Sequence, residues 1–183
     1  MRKVVVSELV SLDGIMENPH WTAQFRSEET KQFKFNELKA SDALLLGRKT
    51  YDEFAAAWPK LIEQEGEYGR MMNGYPKHVI STTLEKAEWN NSSLIKGEIT
   101  EEISKLKQQP GKDILVFGSC TLVQTLMQLD LIDEYRLMVF PVVLGNGKRL
   151  FGEVIDKKVL KLAETKTFAS GVVVLTYLAE RKD

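Results

Sequence analysis

The sequence of 183 residues predicts an α/β fold whose central sheet is mixed and mostly parallel. Strand-like and helix-like segments alternate along most of the chain, which is typical of parallel strands covered by helices on both faces in three layers. Residues 43–46 are Ala and Leu only, the pattern of a strand buried on both faces. Two strand-like segments flank Ala169-Ser170-Gly171, which indicates a C-terminal β-hairpin. We therefore expect one domain over residues 1–183.

The individual elements follow from hydrophobic periodicity and from the Gly and Pro residues that interrupt it. Strands are expected over residues 2–12, 43–46, 78–81, 93–96, 113–117, 135–140, 158–168 and 172–179. Helices are expected over residues 25–40, 51–58, 98–109 and 122–129. Ser27 is the expected N-cap of the first helix, and Thr50 and Glu53 have capping-box spacing at the start of the second. Residues 60–75 hold three glycines and many charges, so we expect an irregular, partly helical segment there.

The composition excludes several classes of protein. There are 25 Lys+Arg and 26 Asp+Glu, so the basic excess of a nucleic-acid-binding protein is missing. The longest uncharged stretch, residues 114–129, is too short and too polar to span a bilayer. The single cysteine, Cys120, permits no internal disulfide, and no signal-peptide pattern follows Arg2 and Lys3. We expect a cytoplasmic protein that binds neither nucleic acid nor membrane.

Three predicted strands end in residues suited to an anionic ligand. Open α/β sheets bind ligands at the carboxyl ends of their strands. After the strand at 43–46, Gly47-Arg48-Lys49-Thr50 leads into a helix, where free backbone N–H groups and two basic side chains attract phosphate. Gly118-Ser119 leads from a strand into a helix in the same way, and Ser81-Thr82-Thr83 places three hydroxyl groups at another strand end. Together these features favour a phosphorylated cofactor.

Other kinds of site have little support. The chain contains neither a Gly-x-Gly-x-x-Gly pattern after its first strand nor a P-loop. His20 and His78 are far apart in sequence and have no ligand pattern near them, so we expect no metal site. Cys120 lies at a helix start, yet without a nearby histidine it is better explained as a small packing residue.

Four motifs in order along the chain resemble the dihydrofolate-reductase-like fold. They are Ser11-Leu12-Asp13-Gly14, Leu46-Gly47-Arg48-Lys49-Thr50-Tyr51, Phe117-Gly118-Ser119 and the segment from Pro141 to Phe151. Within that fold, the chain is similar above all to the C-terminal reductase domain of the bacterial bifunctional riboflavin-biosynthesis deaminase–reductase, as a stand-alone member. The resemblance implies an NADPH-dependent reductase of a small pyrimidine- or pterin-like substrate.

The resemblance also implies roles for particular residues. The implied contacts to NADPH are Gly47, Arg48, Lys49 and Thr50 at phosphate, Ser81, Thr82 and Thr83 near the adenosine end, Gly118, Ser119, Thr121 and Leu122 near the pyrophosphate and nicotinamide, and Ser11, Leu12 and Gly14 in a closing loop. Asp13, the only carboxylate in the turn that ends the first strand, is the catalytic candidate. It acts either as a proton relay or as an anchor of that loop, the alternative being an ordinary turn residue.

The chain also departs from the family pattern. With one Cys and two His, it lacks the zinc site that deamination requires. Dihydrofolate reductases carry a substrate-binding carboxylate on the helix after the first loop, where this chain offers Glu28, Glu29 and Glu37. The expected substrate is 5-amino-6-(5-phosphoribosylamino)uracil; the alternatives are dihydrofolate reduction, or a nucleotide-binding module without turnover. By analogy with the family we expect a homodimer.

Overall fold

An eight-stranded sheet runs through the part of the chain that the computed structural model describes, residues 1–153 and 156–180. Its strands are β1 Val4–Ser11, β2 Ser41–Gly47, β3 Lys77–Ile80, β4 Ser92–Ile95, β5 Asp113–Val116, β6 Glu134–Phe140, β7 Leu160–Thr167 and β8 Val173–Ala179. The α-helices are α1 Glu28–Lys39, α2 Arg48–Ala57, α3 Ile62–Gly74, α4 Ile99–Gln108 and α5 Cys120–Gln128, and 3-10 helices cover Pro19–Phe25 and Trp58–Lys60.

The strand order is β4-β3-β2-β5-β1-β6-β8-β7. Neighbouring strands among β1 to β6 pair in parallel, whereas β8 is antiparallel to both β6 and β7. The predicted sheet, mixed and mostly parallel with a C-terminal hairpin, is therefore confirmed. Gly171 has a φ of 87° in the hairpin turn, a conformation that glycine adopts without strain.

Helices cover both faces of the sheet, as the alternation in the sequence predicts. Val4 and Val6 of β1 pack on one face with residues of α4 and α5, among them Ile103 and Leu126. Val5 of β1 packs on the opposite face with residues of α1, α2 and α3. Successive residues of a strand point to opposite faces, so β1 contributes to both cores. The result is the expected three-layer arrangement.

The helix starts agree with the sequence prediction in one case and differ in the other. Ser27 caps α1, since its Oγ accepts a hydrogen bond from Thr30 N at 3.2 Å. The predicted capping box of Thr50 and Glu53 is wrong, because α2 begins at Arg48, directly after Gly47, and no side chain caps it. Thr50 consequently lies inside the first turn, where it is buried.

Residues 62–74 are more regular than the sequence suggests. The expected irregular segment is mostly the helix α3, interrupted at Gly66, whose φ of 55° and ψ of −124° are not helical. Glycine tolerates this conformation at little steric cost, so the helix resumes after the break. Among the described residues, no helix is long and apolar enough to cross a membrane.

Candidate active site

The cleft nearest the predicted site lies where β1 and β5 separate. These strands pair in parallel only as far as Val6 and Val116, and beyond that point their carboxyl ends leave an opening. A cavity of about 300 Å³ occupies it. Its walls consist of Ser7, Glu8, Leu9, Met16, Glu17, Asn18, Pro19, Lys34, Lys49, Thr50, Glu53, Phe54, Trp58, Tyr68, Met72, Phe117, Ser119, Cys120, Thr121 and Lys148. This is the edge at which open α/β sheets bind ligands.

The start of α2 has the character of an anion site. Its N-cap, Gly47, provides no side-chain acceptor, and its first turn contains no acidic residue, so the first backbone N–H groups keep their capacity to bind phosphate. Gly47 also joins this turn to the next one, because its N–H donates to Gly118 O at 3.0 Å. A Cβ at Gly47 would collide with the side chain of Ser119, so only glycine lets the two helix starts lie so close.

The basic residues and hydroxyl groups that the sequence singles out meet at this edge. Arg48 Nη1 donates to Thr83 Oγ1 at 2.9 Å, and Arg48 Nε pairs with Asp52 at 3.0 Å. Ser81 Oγ accepts hydrogen bonds from the backbone N–H of Thr83 at 3.2 Å and of Leu84 at 3.0 Å. Ser81 therefore shapes the turn after β3, while Thr83 and its neighbour Thr82 are exposed. Lys49 also lines the cleft.

The turn between β5 and α5 is tightly packed. Gly118 has a φ of 114°, and a Cβ there would lie 2.9 Å from Thr50 Oγ1. Ser119 is the N-cap of α5, and its Oγ accepts from Leu122 N at 3.4 Å. Thr121 is exposed and lines the cleft, whereas the Leu122 side chain is buried in the core. Of Leu122, therefore, only the backbone is left to contact a ligand at the start of α5.

Asp13 lies outside the cleft and ties two loops together. Its carboxylate accepts hydrogen bonds from Ser11 Oγ at 2.6 Å and from the backbone N–H groups of Leu144 at 3.1 Å and Gly145 at 2.8 Å. These hydrogen bonds lower the pKa of Asp13 to about 2, with the Ser11 hydroxyl making the largest contribution. A carboxylate so occupied suits the predicted anchor better than the predicted proton relay.

The other members of that loop have different surroundings. Ser11 is buried and accepts from Ile15 N at 2.9 Å. Leu12 is 66% exposed, and Gly14 has a φ of 82°. None of the three lines the cleft described above.

The three carboxylates proposed on the first helix separate clearly. Glu28 forms an exposed ion pair with Lys31 at 3.1 Å, and Glu29 accepts from the backbone N–H of Ala169 at 3.0 Å. Glu37 is buried, accepts from Ser7 Oγ at 2.8 Å and forms an ion pair with Lys34. Ser7 and Lys34 line the cleft, whereas Glu37 and its third partner, Arg136 at 3.9 Å, do not. Glu37 therefore contacts the cleft only through Ser7 and Lys34.

Sequence reasoning missed Glu8, the buried carboxyl group of the cleft. Glu8 is 5% exposed and lines the cleft from β1. Its Oε1 has no hydrogen-bond partner among the described residues. Burial raises the pKa of Glu8 to about 8; Lys34 opposes this shift and Glu37 adds to it. The signal in the sequence is a single acid inside the otherwise uncharged and mostly apolar run Val4–Val10.

A cluster of aromatic side chains forms one side of the cleft. Its members, Phe54, Trp58, Tyr68 and Phe117, are partly buried. The rings of Phe54 and Phe117 are 6.2 Å apart, and those of Trp58 and Tyr68 are 5.4 Å apart. Lys34 Nζ lies 4.4 Å above the Phe117 ring. Such a surface suits a planar, apolar-faced ligand with polar edges.

Metal and thiol chemistry have little basis in this structure. No group of three or more His, Cys, Asp or Glu side chains that could hold a metal occurs within residues 1–153 and 156–180. Cys120 donates to Arg149 O at 3.2 Å, and burial raises the pKa of its thiol. A raised thiol pKa disfavours the nucleophilic thiolate. His78 lies within 3.2 Å of Ser93 Oγ, which suits a structural role.

Comparison with known proteins places the chain among reductase-like domains. The sequence model of the RibD C-terminal domain family matches residues 2–174. YyaP of Bacillus subtilis strain 168, an uncharacterized protein, is 35% identical over 178 residues, which cover 96% of this chain and 94% of YyaP.

Two solved structures show the same fold. A putative riboflavin biosynthesis protein from Shewanella sp. PV-4 superposes with a TM-score of 0.77 at 22% identity, covering 98% of this chain and 99% of that one. Enterococcus faecalis dihydrofolate reductase, complexed with NADP(H) and RAB-propyl, superposes with a TM-score of 0.62 at 14% identity, covering 98% of this chain and 97% of that one. The expected dihydrofolate-reductase-like fold is thereby confirmed.

Proposed function

The chain belongs to the RibD C-terminal domain family, and from this premise we propose that it is an NADPH-dependent reductase of a small pyrimidine- or pterin-like compound. One observation carries the proposal. The starts of α2 and α5 lie side by side, joined by the hydrogen bond from Gly47 N to Gly118 O at 3.0 Å, and both open onto the cleft. Two neighbouring helix N-termini suit the several phosphates of a dinucleotide.

The residues present fit such a cofactor. The start of α2 has no side-chain cap and no acidic residue in its first turn, so Arg48, Lys49 and Thr50 offer backbone N–H groups to a phosphate. Arg48 reaches from there to Thr83, which suits the additional 2′-phosphate of NADPH because guanidinium binds phosphate well. When bound, NADPH supplies the hydride, and the protein supplies binding, orientation and electrostatics.

The cleft also fits the substrate class. The aromatic side formed by Phe54, Trp58, Tyr68 and Phe117 can contact the face of a planar ring, and Lys34 and Glu8 can contact its polar edge. We propose 5-amino-6-(5-phosphoribosylamino)uracil as substrate on the strength of the family. The similarity to Enterococcus faecalis dihydrofolate reductase supports dihydrofolate as the second candidate.

The proposal is tested first by binding and then by turnover. Fluorescence titration with NADPH and NADH should show tighter binding of NADPH. Oxidation of NADPH is then followed at its own absorbance with each of the two candidate substrates in turn. Turnover of one of them identifies the substrate. Tight NADPH binding with no reduction of either compound would favour a nucleotide-binding module, and no binding of NADPH would refute the proposal.

A homodimer is part of this proposal. β7 is one of the two edge strands of the sheet, and its residues 161–167 are exposed. Val159, just before β7, and Leu162, within it, are 58% and 51% exposed. An unpaired, exposed edge can pair with a second strand. Sedimentation equilibrium gives the oligomeric state, and a monomer over the whole concentration range would refute this part.

A further inference from the structure

The carboxyl group of Glu8 is the feature of the cleft that internal packing does not account for. Glu8 lies two residues beyond Val6, the last residue at which β1 pairs with β5, so it borders the opening between the two strands. It is buried and lines the cleft, yet its Oε1 has no hydrogen-bond partner within the described residues. Buried polar groups are nearly always paired. A partner supplied by a ligand resolves the exception.

The surroundings of Glu8 place it beside the turn between β5 and α5. A Cβ on Gly118 would lie 3.6 Å from Glu8 Oε1, so the carboxyl group is next to the turn that leads into α5. The same Cβ on Gly118 would lie 2.9 Å from Thr50 Oγ1. The proposed cofactor site and the carboxyl group therefore share this turn.

We propose that Glu8 is the catalytic acid of this reductase, donating first a hydrogen bond and then a proton to the nitrogen or oxygen of the C=N or C=O bond that is reduced in the bound substrate. The inference rests on the proposed function, from which it takes NADPH and the substrate class. It adds the residue that supplies the proton which the reduced substrate takes up.

The step is balanced. Glu8 gives its proton to the nitrogen or oxygen of a C=N or C=O bond, while the carbon of that bond receives hydride from NADPH. One π bond is lost, a C–H bond and an N–H or O–H bond form, and NADP⁺ and the Glu8 carboxylate remain. The carboxylate then regains a proton from solvent before the next turnover. The substrate is reduced by two electrons and NADPH is oxidised by two.

Burial favours the protonated form of Glu8 at neutral pH. Burial raises its pKa to about 8; from α1, Lys34 opposes the shift and Glu37 adds to it. Lys34 itself is engaged, since it donates to Ser7 Oγ at 2.9 Å and pairs with Glu37. Burial raises the pKa of the Cys120 thiol on α5 and of the Tyr68 phenol on α3. A catalytic acid works best with a pKa near the working pH.

The test compares Glu8→Gln with Glu101→Gln, the same change at an exposed position of α4. Single-turnover hydride transfer is measured from pH 6 to pH 9.5 with each candidate substrate, and the dissociation constant of NADPH is measured in parallel. We expect Glu8→Gln to slow hydride transfer by about 100- to 10,000-fold at neutral pH, the range for general acid catalysis. The NADPH affinity should stay unchanged. The wild-type rate should fall above about pH 8, and this break should be absent in the variant.

A second measurement needs no substrate. Infrared difference spectra of wild type minus Glu8→Gln at pH 7 should contain the carbonyl stretch of a protonated carboxylic acid, and this band should vanish as the pH rises past about 8. Thermal melting of Glu8→Gln checks that the variant is folded.

The outcomes are distinguishable. If wild type turns over and Glu8→Gln keeps both its rate and its pH break, the inference is overturned while the proposed function stands. An infrared spectrum that shows Glu8 ionised at pH 7 overturns the inference as well. If wild type binds no NADPH or reduces neither compound, the proposed function fails and the inference fails with it.

Discussion

Arg48 Nη1 donates a 2.9 Å hydrogen bond to Thr83 Oγ1, which joins the first residue of α2 to the turn after β3. The two residues are 35 positions apart in sequence, and neither carries much functional information alone. Together they place a guanidinium group beside a row of hydroxyl groups at the carboxyl edge of the sheet. Guanidinium binds phosphate well, so we propose that this pair favours a dinucleotide with a 2′-phosphate over one without it.

The first prediction concerns cofactor preference. A charge-assisted hydrogen bond contributes about 1.5–3 kcal/mol, so Arg48→Ala should weaken NADPH binding roughly 10- to 100-fold. NADH affinity should barely change if Arg48 binds the 2′-phosphate, and should fall in parallel if it binds the shared pyrophosphate. The measurement is the dissociation constant of each cofactor at one moderate salt concentration, for wild type, Arg48→Ala and Lys49→Ala.

Arg70→Ala is the matched control, because Arg70 is exposed on α3 and lies outside the cleft. It should leave both affinities unchanged. Equal wild-type affinities for NADPH and NADH would contradict the prediction.

The second prediction concerns the loop anchor. The Asp13 carboxylate accepts hydrogen bonds from Leu144 N and Gly145 N. Asp13→Asn keeps the shape of the side chain but replaces this carboxylate by a neutral amide. The pKa of Asp13 falls from 3.8 to about 2 in the folded protein, so its stabilising effect is complete above pH 3.8 and is lost as the pH falls through 2. Asp13→Asn should therefore lower the melting temperature near neutral pH, and the difference from wild type should shrink on acidification.

Melting curves of both proteins from about pH 2 to pH 6 test this. A difference that does not depend on pH would show that the charge is not what holds the loop. A loss of hydride transfer in Asp13→Asn at unchanged NADPH affinity and stability would restore the proton-relay role.

The third prediction separates packing from ligand approach at Gly118. Gly118→Ala forces a side chain onto a φ of 114° and places its Cβ 2.9 Å from Thr50 Oγ1. We expect the free energy of unfolding to fall by about 1–3 kcal/mol. Adding Thr50→Ala should recover part of this loss, since it removes the contact but leaves the φ. Gly74→Ala is the control, because its Cβ would meet nothing within 4 Å.

The measurements are urea unfolding and NADPH titration of the folded fraction. If Gly118→Ala binds NADPH as wild type does, the glycine serves the turn alone. If affinity falls far more than stability, the cofactor approaches this backbone, as the resemblance to the reductase family implies.

The sequence predicts the layers of this fold well and the interior of its cleft poorly. The alternation of apolar segments was sufficient to predict a mostly parallel sheet, because burial on one or both faces dictates the apolar pattern directly. The capping pattern places the start of α2 at Thr50, too late in the chain. Gly47 ends a strand and precedes the helix directly, without any side-chain cap, so no capping residue marks the true start in the sequence. Glu8 was overlooked since its chemistry depends on where β1 and β5 part, which no local pattern reveals.

The fourth prediction concerns a buried lysine. Lys77 has no exposed surface, its Nζ donates at 2.8 Å to the carbonyl oxygens of Asn73, Tyr75 and Asn90, and it lies 4.2 Å from the centre of the Trp89 ring. Burial lowers its pKa to about 8, so it is still protonated at neutral pH. Lys77→Met keeps the volume but removes this donor from all three carbonyl oxygens, of which, among the described residues, only that of Asn73 still accepts a hydrogen bond, from Asn90 Nδ2 at 3.1 Å. We expect unfolding to become easier by about 3 kcal/mol or more.

Urea unfolding at pH 7 measures this loss, with Lys96→Met, an exposed position, as the control. A variant as stable as wild type would show that the three carbonyl groups find other donors.

The fifth prediction tests Glu8 through stability alone. Its pKa rises from 4.5 to about 8 on folding, so between these values the unfolded chain is ionised while the folded protein keeps the proton. Stability must then fall as the pH rises across this interval, at a slope approaching ~1.4 kcal/mol per pH unit, and become constant above pH 8. Glu8→Gln cannot ionise and should lack this slope, so its advantage over wild type should grow from pH 5 to pH 8. Glu101→Gln should follow wild type throughout. Parallel curves for Glu8→Gln and wild type would mean that the folded protein ionises Glu8 as readily as the unfolded chain does, and a catalytic acid held neutral at pH 7 would be untenable.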